Sequence, residues 1–175
     1  PRGTIWHYEY FANNLLKRVH LTGADNSEYE VRYEYDAAGN RRLVVDSNNT
    51  VRYNYDETGQ FKPDPLNRKN SVDRYFDGAF YRTEYRYDPT GILTGIKYPH
   101  AQTWLEYRYD NLNQLQEVVG FTAPQGITYE KDGIVNSLKL SNKIVTAFNY
   151  DDNRRLRELV ASGAEEILKL DYTYD

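Results

Sequence analysis

The sequence predicts an all-β chain, antiparallel hairpins laid side by side as a curved strip, and three observations predict it. A four-residue word, aromatic-x-Tyr-Asp, recurs from one end to the other. Around each word, rings and charged groups alternate at period two. Turn-forming residues follow each word at a nearly fixed offset. Internal repetition of this kind sets the architecture before any single residue does.

The word stands as YEYD at 33–36, YNYD at 53–56, YRYD at 85–88, YRYD at 107–110, FNYD at 148–151 and YTYD at 172–175, with degenerate copies YEYF at 8–11 and ITYE at 127–130. Its second aromatic falls at Tyr10, Tyr35, Tyr55, Tyr87, Tyr109, Tyr129, Tyr150 and Tyr174, at intervals of 25, 20, 32, 22, 20, 21 and 24 residues. Alternate side chains of a strand face opposite ways. One side therefore collects Trp6/Tyr8/Tyr10, Val31/Tyr33/Tyr35, Val51/Tyr53/Tyr55, Thr83/Tyr85/Tyr87, Leu105/Tyr107/Tyr109 and Leu170/Tyr172/Tyr174. The other collects polar groups such as Arg32/Glu34/Asp36 and Glu106/Arg108/Asp110. A helical period of 3.6 would scramble this sorting.

The closing Asp has its own reason. A type I turn favours Asp or Asn at its first position and Gly at its fourth. Asp36-Ala-Ala-Gly39, Asp56-Glu-Thr-Gly59 and Asp88-Pro-Thr-Gly91 fit at both, and Asp110-Asn-Leu-Asn113 puts Asn, tolerant of positive φ, in the Gly position. Three turns depart: Phe11 and Glu130 replace the Asp, and Asp151-Asp-Asn-Arg has no Gly, so distortion is expected there. Behind the turns, second strands are expected at 43–45, 92–97, 115–119, 138–140 and 156–160. Return turns are expected at Asp46-Ser-Asn-Asn49, Tyr98-Pro-His100, Ala123-Pro-Gln-Gly126, Ser141-Asn142 and Ser162-Gly163. Two strands per interval give about 14 strands and, at ~4.8 Å each, a strip ~65 Å long, which accumulated twist should curl. The 32-residue interval holds an insertion near 62–80, read as a surface loop and then a short strand at 79–82, because two Pro in three residues cannot donate to a ladder. Residues 1–175 thus read as one repeat segment of a larger polypeptide, since there is no Met and the chain opens on Pro-Arg-Gly.

Composition agrees with a thin sheet. The hydrophobic share is 39% and the aromatic share 15%, with 18 Tyr, so much of the buried area must come from rings with polar tips. A net charge of -4 with both signs mixed gives no long-range attraction to nucleic acid or anionic lipid. No stretch approaches the ~18 apolar residues of a membrane span. With no Cys, disulfides, thiolate metal sites and a cysteine nucleophile are excluded. His7, His20 and His100 are scattered, no loop alternates oxygens as an ion cage does, and no Gly-x-Ser-x-Gly or phosphate loop occurs. Neither an enzyme, a cofactor nor a metal is expected. Asn48-Asn-Thr50 is a glycosylation sequon only in a eukaryotic setting.

Tyr-x-Tyr-Asp-x-x-Gly followed by a short apolar strand, at this spacing and over nearly the whole chain, resembles the YD repeat of bacterial Rhs and wall-associated proteins, the B/C components of Tc toxins, and teneurins. The resemblance implies a hollow β-shell segment, secreted or at the cell surface, that encloses or presents a C-terminal toxin or effector. It also implies a rival role, carbohydrate binding or adhesion. The partners it implies are neighbouring repeats, the effector and glycans; open sheet edges add self-association. Asp88-Pro-Thr-Gly91-Ile-Leu resembles the signature near which toxin Rhs shells end, but further words follow it, so it reads as an ordinary turn. The structural repeat residues are Tyr33, Tyr35, Asp36, Gly39, Tyr53, Tyr55, Asp56, Gly59, Tyr85, Tyr87, Asp88, Gly91, Tyr107, Tyr109, Asp110, Asn113, Tyr150 and Asp151.

Overall fold

The structure is a computed structural model and describes residues 4–175. Fifteen strands run among them: β1 Ile5–Tyr10, β2 Leu16–Thr22, β3 Glu28–Tyr35, β4 Arg41–Asp46, β5 Asn49–Tyr53, β6 Ser71–Phe76, β7 Ala79–Tyr87, β8 Leu93–Lys97, β9 Leu105–Tyr109, β10 Leu115–Val118, β11 Thr122–Tyr129, β12 Val135–Leu140, β13 Val145–Tyr150, β14 Leu156–Ser162 and β15 Glu166–Asp171. Neighbours in sequence are neighbours in hydrogen bonding, through β10 in one sheet and from β11 to β15 in another. The chain divides into two compact units, Pro1–Arg86 with Ile96–Thr103, and Tyr87–Gly95 with Trp104–Asp175.

Odd-numbered strands carry or lead into the words, and even-numbered strands return the chain. In the first unit the register puts rings against aliphatics: Trp6 faces Leu21, Tyr8 faces Val19, Val19 faces Val31, and Tyr33 faces Val44. The adjoining row is ionic: Glu9 faces Arg18, which faces Arg32, while His20 faces Glu30. Arg18 bridges Glu9 and Glu30, the latter at 2.9 Å, and Arg42 pairs with Glu34 at 2.8 Å. Cross-strand pairs of these kinds contribute about 0.2–1 kcal/mol each. His7 and His20, apart in sequence, meet across β1 and β2 with ring centroids 6.1 Å apart. Val72 is the one buried hydrophobic residue among those described. Stability therefore rests on many half-covered contacts rather than on a deep core.

Three expectations need correction. The stretch 62–80 is not a loop up to Ala79: Ser71–Phe76 is the full return strand β6, joined to β7 by Asp77-Gly78 with φ of 49° and 72°. Both central residues at positive φ make a two-residue hairpin, for which Asp-Gly between hydrophobic strands is the strongest short-range signal. The expected turn at Ala123–Gly126 lies inside β11, where pairing jumps from Thr122↔Leu140 to Ile127↔Leu138 and leaves a bulge. The reversal comes earlier, at Gly120-Phe121, with φ of 86° at Gly120. Finally, the turns at Phe11, Glu130 and Asp151 are not distorted, for reasons given next.

Candidate functional site

Each word from YEYF at 8–11 to FNYD at 148–151 ends in the same five-residue reversal. The amide of its first residue donates to the carbonyl four residues on, and the amide of the fourth donates back to the first: 2.9 and 3.1 Å at Asp36, 2.8 and 3.0 Å at Asp56, 2.9 and 3.1 Å at Asp88 and at Asp110. The fourth residue takes positive φ, 84° at Gly39 and 96° at Gly91 but also 61° at Asn113 and 64° at Arg154. This is a type I turn closed by a left-handed residue, the usual three-residue hairpin loop. One carboxylate oxygen then caps two more amides, those two and four residues on. Asp36 receives Ala38 and Asn40, Asp56 receives Thr58 and Gln60, Asp88 receives Thr90 and Ile92, Asp110 receives Leu112 and Gln114, and Asp151 receives Asn153 and Arg155, all between 2.8 and 3.0 Å.

These donors favour the charged carboxylate. The Thr58 hydroxyl and the Gln60 amide hold Asp56 down at about 2. The Thr90 hydroxyl and the Ile92 amide lower Asp88, and the Arg155 amide and guanidinium lower Asp151. At Asp36, burial pushes up, but Asn40 and the turn amides outweigh it and the carboxyl stays below its usual range.

Where the Asp is missing, the third turn residue supplies the oxygen. Asn13 Oδ1 accepts from Leu15 at 3.3 Å behind Phe11, and Asp132 from Ile134 at 3.5 Å behind Glu130. Phe11 keeps both backbone bonds, at 2.8 and 3.0 Å, and Glu130 keeps them at 2.8 and 2.9 Å. Arg154, with no Gly to help, simply accepts the left-handed backbone, and its guanidinium pairs with Asp132 at 2.6 Å.

The second tyrosine of the word is a latch between repeats. Its phenol donates to a backbone carbonyl on the preceding return strand: Tyr35 to Leu16 at 2.9 Å, Tyr109 to Leu93 at 2.7 Å, Tyr129 to Leu115 at 2.8 Å, Tyr150 to Val135 at 2.8 Å and Tyr174 to Leu156 at 2.7 Å. In all five the acceptor stands five residues after the previous word's last residue, Phe11, Asp88, Asp110, Glu130 or Asp151. Burial raises Tyr109, Tyr129 and Tyr150, so they remain protonated donors. Among the other repeat residues, Tyr33 lies under the Arg41 guanidinium at 5.2 Å, Tyr53 under the Lys69 ammonium at 5.4 Å, and Tyr107 faces Val118. Tyr85 donates its amide to Asn70 at 2.9 Å, next to Tyr87 at the end of β7. Tyr55 lies beyond β5, in an isolated bridge to Phe61 with rings 5.5 Å apart.

Sequence reasoning missed two features of the first unit. Asp64-Pro-Leu-Asn67 is a further copy of the reversal: Asp64 caps the Leu66 amide at 2.8 Å and the Arg68 amide at 3.3 Å, and Asn67 sits at φ 58°. The Arg68 guanidinium leads the groups that hold Asp64 far below its usual range. The likeness to Asp88-Pro-Thr-Gly91 was available as a signal. The second feature is Asp73, fully buried on β6, with one oxygen on Arg52 at 3.1 Å and the other on Arg82 at 3.0 Å. Burial raises its carboxyl against the pull of Arg82 and Arg52. Arg82 also reaches the carbonyls of Tyr55 and Asp56, and Arg52 the Tyr75 hydroxyl. Over this cluster lies an open concavity of about 590 Å³, its walls including Phe80, Lys97, Tyr98 and His100. Phe80 and Tyr98 are 42% and 52% exposed. Cations and carboxylates are mixed in its lining, and among the described residues no three metal-ligating side chains converge.

No family profile and no curated protein matches the chain in sequence. Solved structures do match: TcdB2-TccC3 with a TM-score of 0.80, TcdB2-TccC3-Cdc42 with 0.79, and TcdB2-TccC3 without its hypervariable C-terminal region with 0.80, each at 15% identity. The matches cover 98% of this chain but 10% of those chains. What is shared is the fold, an antiparallel all-β arrangement of hairpins.

Proposed function

We propose that this chain is a non-catalytic scaffold segment of an Rhs/YD-repeat shell, secreted or displayed at the cell surface, within a longer polypeptide that encloses or presents a C-terminal effector. The observation that carries the reading is the repeated pair of reversal and tyrosine latch along a chain whose fold follows the TcdB2-TccC3 structures over nearly its full length. The residues it assigns as structural determinants are the word tyrosines and turn residues from Tyr33 to Asp151. Their chemistry is spent on the chain itself: carboxylates on turn amides, phenols on neighbouring carbonyls. The test is proteolysis of the intact parent polypeptide. Its segment downstream of the repeats should resist protease while the repeats are folded and be cut once they are denatured; equal cutting in both states would refute enclosure.

The exposed Phe80 and Tyr98 beside the concavity favour a second reading, direct contact with glycans, since bare rings can stack on sugar faces. Retention on a glycan array that disappears in Phe80→Ala and Tyr98→Ala would support it. A blank array would remove it.

A further inference from the structure

We propose that Asp77-Gly78 is a site of spontaneous backbone modification, converting to isoaspartate through a cyclic imide, and that the fold keeps the chain's other Asp-Gly pair, Asp132-Gly133, from the same reaction.

Asp followed by Gly is prone to this chemistry because the second residue has no Cβ to obstruct ring closure. The main-chain nitrogen of Gly78 attacks Cγ of the Asp77 carboxyl. An N–Cγ bond forms, a C–O bond breaks, the amide gives up its proton and the carboxyl oxygen leaves as water. Water then adds to one of the two imide carbonyls. Opening at Cγ restores Asp77, whereas opening at the former main-chain carbonyl leaves the chain running through Cγ with the α-carboxylate free. One water is lost and one regained, so isoaspartate has the mass of its parent and no further reactant is needed.

Two groups must be free for the attack, the carboxyl and the next amide. At the β6–β7 tip both are. Asp77 and Gly78 are exposed, and among the described residues neither the Asp77 carboxylate nor the Gly78 amide has a hydrogen-bonding or ion-pairing partner. Beyond the adjacent residues, no atom lies within 4 Å of where a Gly78 Cβ would stand, so the loop has room to close the ring. Asp77 starts at φ 49°, in the left-handed region, and leaving it relieves strain rather than adding it.

In the β11–β12 reversal both groups are engaged. The Asp132 carboxylate pairs with Arg154 at 2.6 Å and accepts the Ile134 amide at 3.5 Å. The Gly133 amide donates to the Glu130 carbonyl at 2.9 Å, and the Gln114 side-chain nitrogen lies 3.0 Å from where a Gly133 Cβ would stand. This pair must break an ion pair and a turn-closing bond before it can react.

Isomerisation puts one extra carbon into the main chain of a two-residue loop. The pair that closes the loop, Phe76↔Ala79, then loosens, and beside it stand the Tyr75 and Phe80 rings, 4.8 Å apart on the wall of the concavity. The modification therefore reshapes that aromatic wall.

The experiment ages the folded chain at neutral pH and follows, by tryptic digestion and mass spectrometry, peptide 75–82 and the peptide that carries Asp132. Peptide 75–82 is expected to split into two species of equal mass, with a minor one short of one water. It should do so about ten- to a hundredfold faster than the Asp132 peptide changes, the factor by which hydrogen bonds to a charged group hold a site closed. In urea the two sites should react at comparable rates, because the dipeptide is the same. Asp77→Glu, which would have to close a larger ring, should give no second species. Equal rates in the folded chain would overturn the proposal. So would a peptide 75–82 that changes in urea but not in the folded chain, because the hairpin would then protect its own loop. The isomerised chain should also exchange the Ala79 amide faster, and unchanged exchange there would refute the loosening of the closing pair.

Discussion

At the scale of single residues, backbone conformation and paired charge can be tested one substitution at a time. Gly91 sits at φ 96° with no atom within 4 Å of where a Cβ would stand. Gly91→Val is therefore expected to cost about 2 kcal/mol through backbone strain alone, visible as a lowered denaturant midpoint. Asp73 is the opposite kind of residue, buried and shared by two guanidinium groups. Asp73→Ala leaves Arg52 and Arg82 without their counter-charge and should cost about 3–5 kcal/mol, measured the same way; a loss under about 1 kcal/mol would mean that water reaches the pair. Neither the Asp73 cluster nor the return strand that carries it was legible in the word pattern. Ser71–Phe76 shares no motif with the other return strands, and its identity comes from pairing with β5 and β7. By contrast, Asp36, Asp56 and Asp88 were readable, because a turn cap needs only local sequence.

At the scale of elements, the reversals make stability pH-dependent. Asp36, Asp56, Asp64, Asp88 and Asp151 are all lowered in the folded chain. A carboxyl lowered on folding adds stability that is present above its unfolded value, about 3.9, and lost as pH falls through the folded value. For Asp56 that window runs from about 4 down to about 2. Urea midpoints should therefore fall steadily between pH 4.5 and pH 2, and Asp56→Asn should flatten part of that slope. Asp73 acts in the other sense: raised by burial, it adds stability at low pH that fades as pH rises through its folded value. The turns at Phe11 and Glu130 show why distortion was wrongly expected. Sequence reasoning weighed position one and position four of the turn, whereas Asn13 and Asp132 do the capping from position three.

At the scale of the whole molecule, each strand pairs with its sequence neighbours within its own sheet, β1 to β10 or β11 to β15, so coupling is short-ranged as in other repeat chains. Tyr35→Ala, which removes the latch to Leu16, should speed amide exchange around β2 and β3 and leave β12 to β14 unchanged; a uniform acceleration would show that the chain melts as one body. Outside the 32-residue interval the order of strands was legible because words alternate with short apolar runs. What was not legible was the 32-residue interval, where Asp56 and Asp64 open successive reversals eight residues apart and β5 pairs directly with β6. Where a regular repeat would place a return strand and a word strand, the residues between them form a loop that holds only the isolated Tyr55–Phe61 bridge. Losing a lone strand would have left parallel neighbours, which a short connection cannot join. Growth and erosion of such a ribbon must then proceed in twos, and length differences between related chains should be counted in whole hairpins.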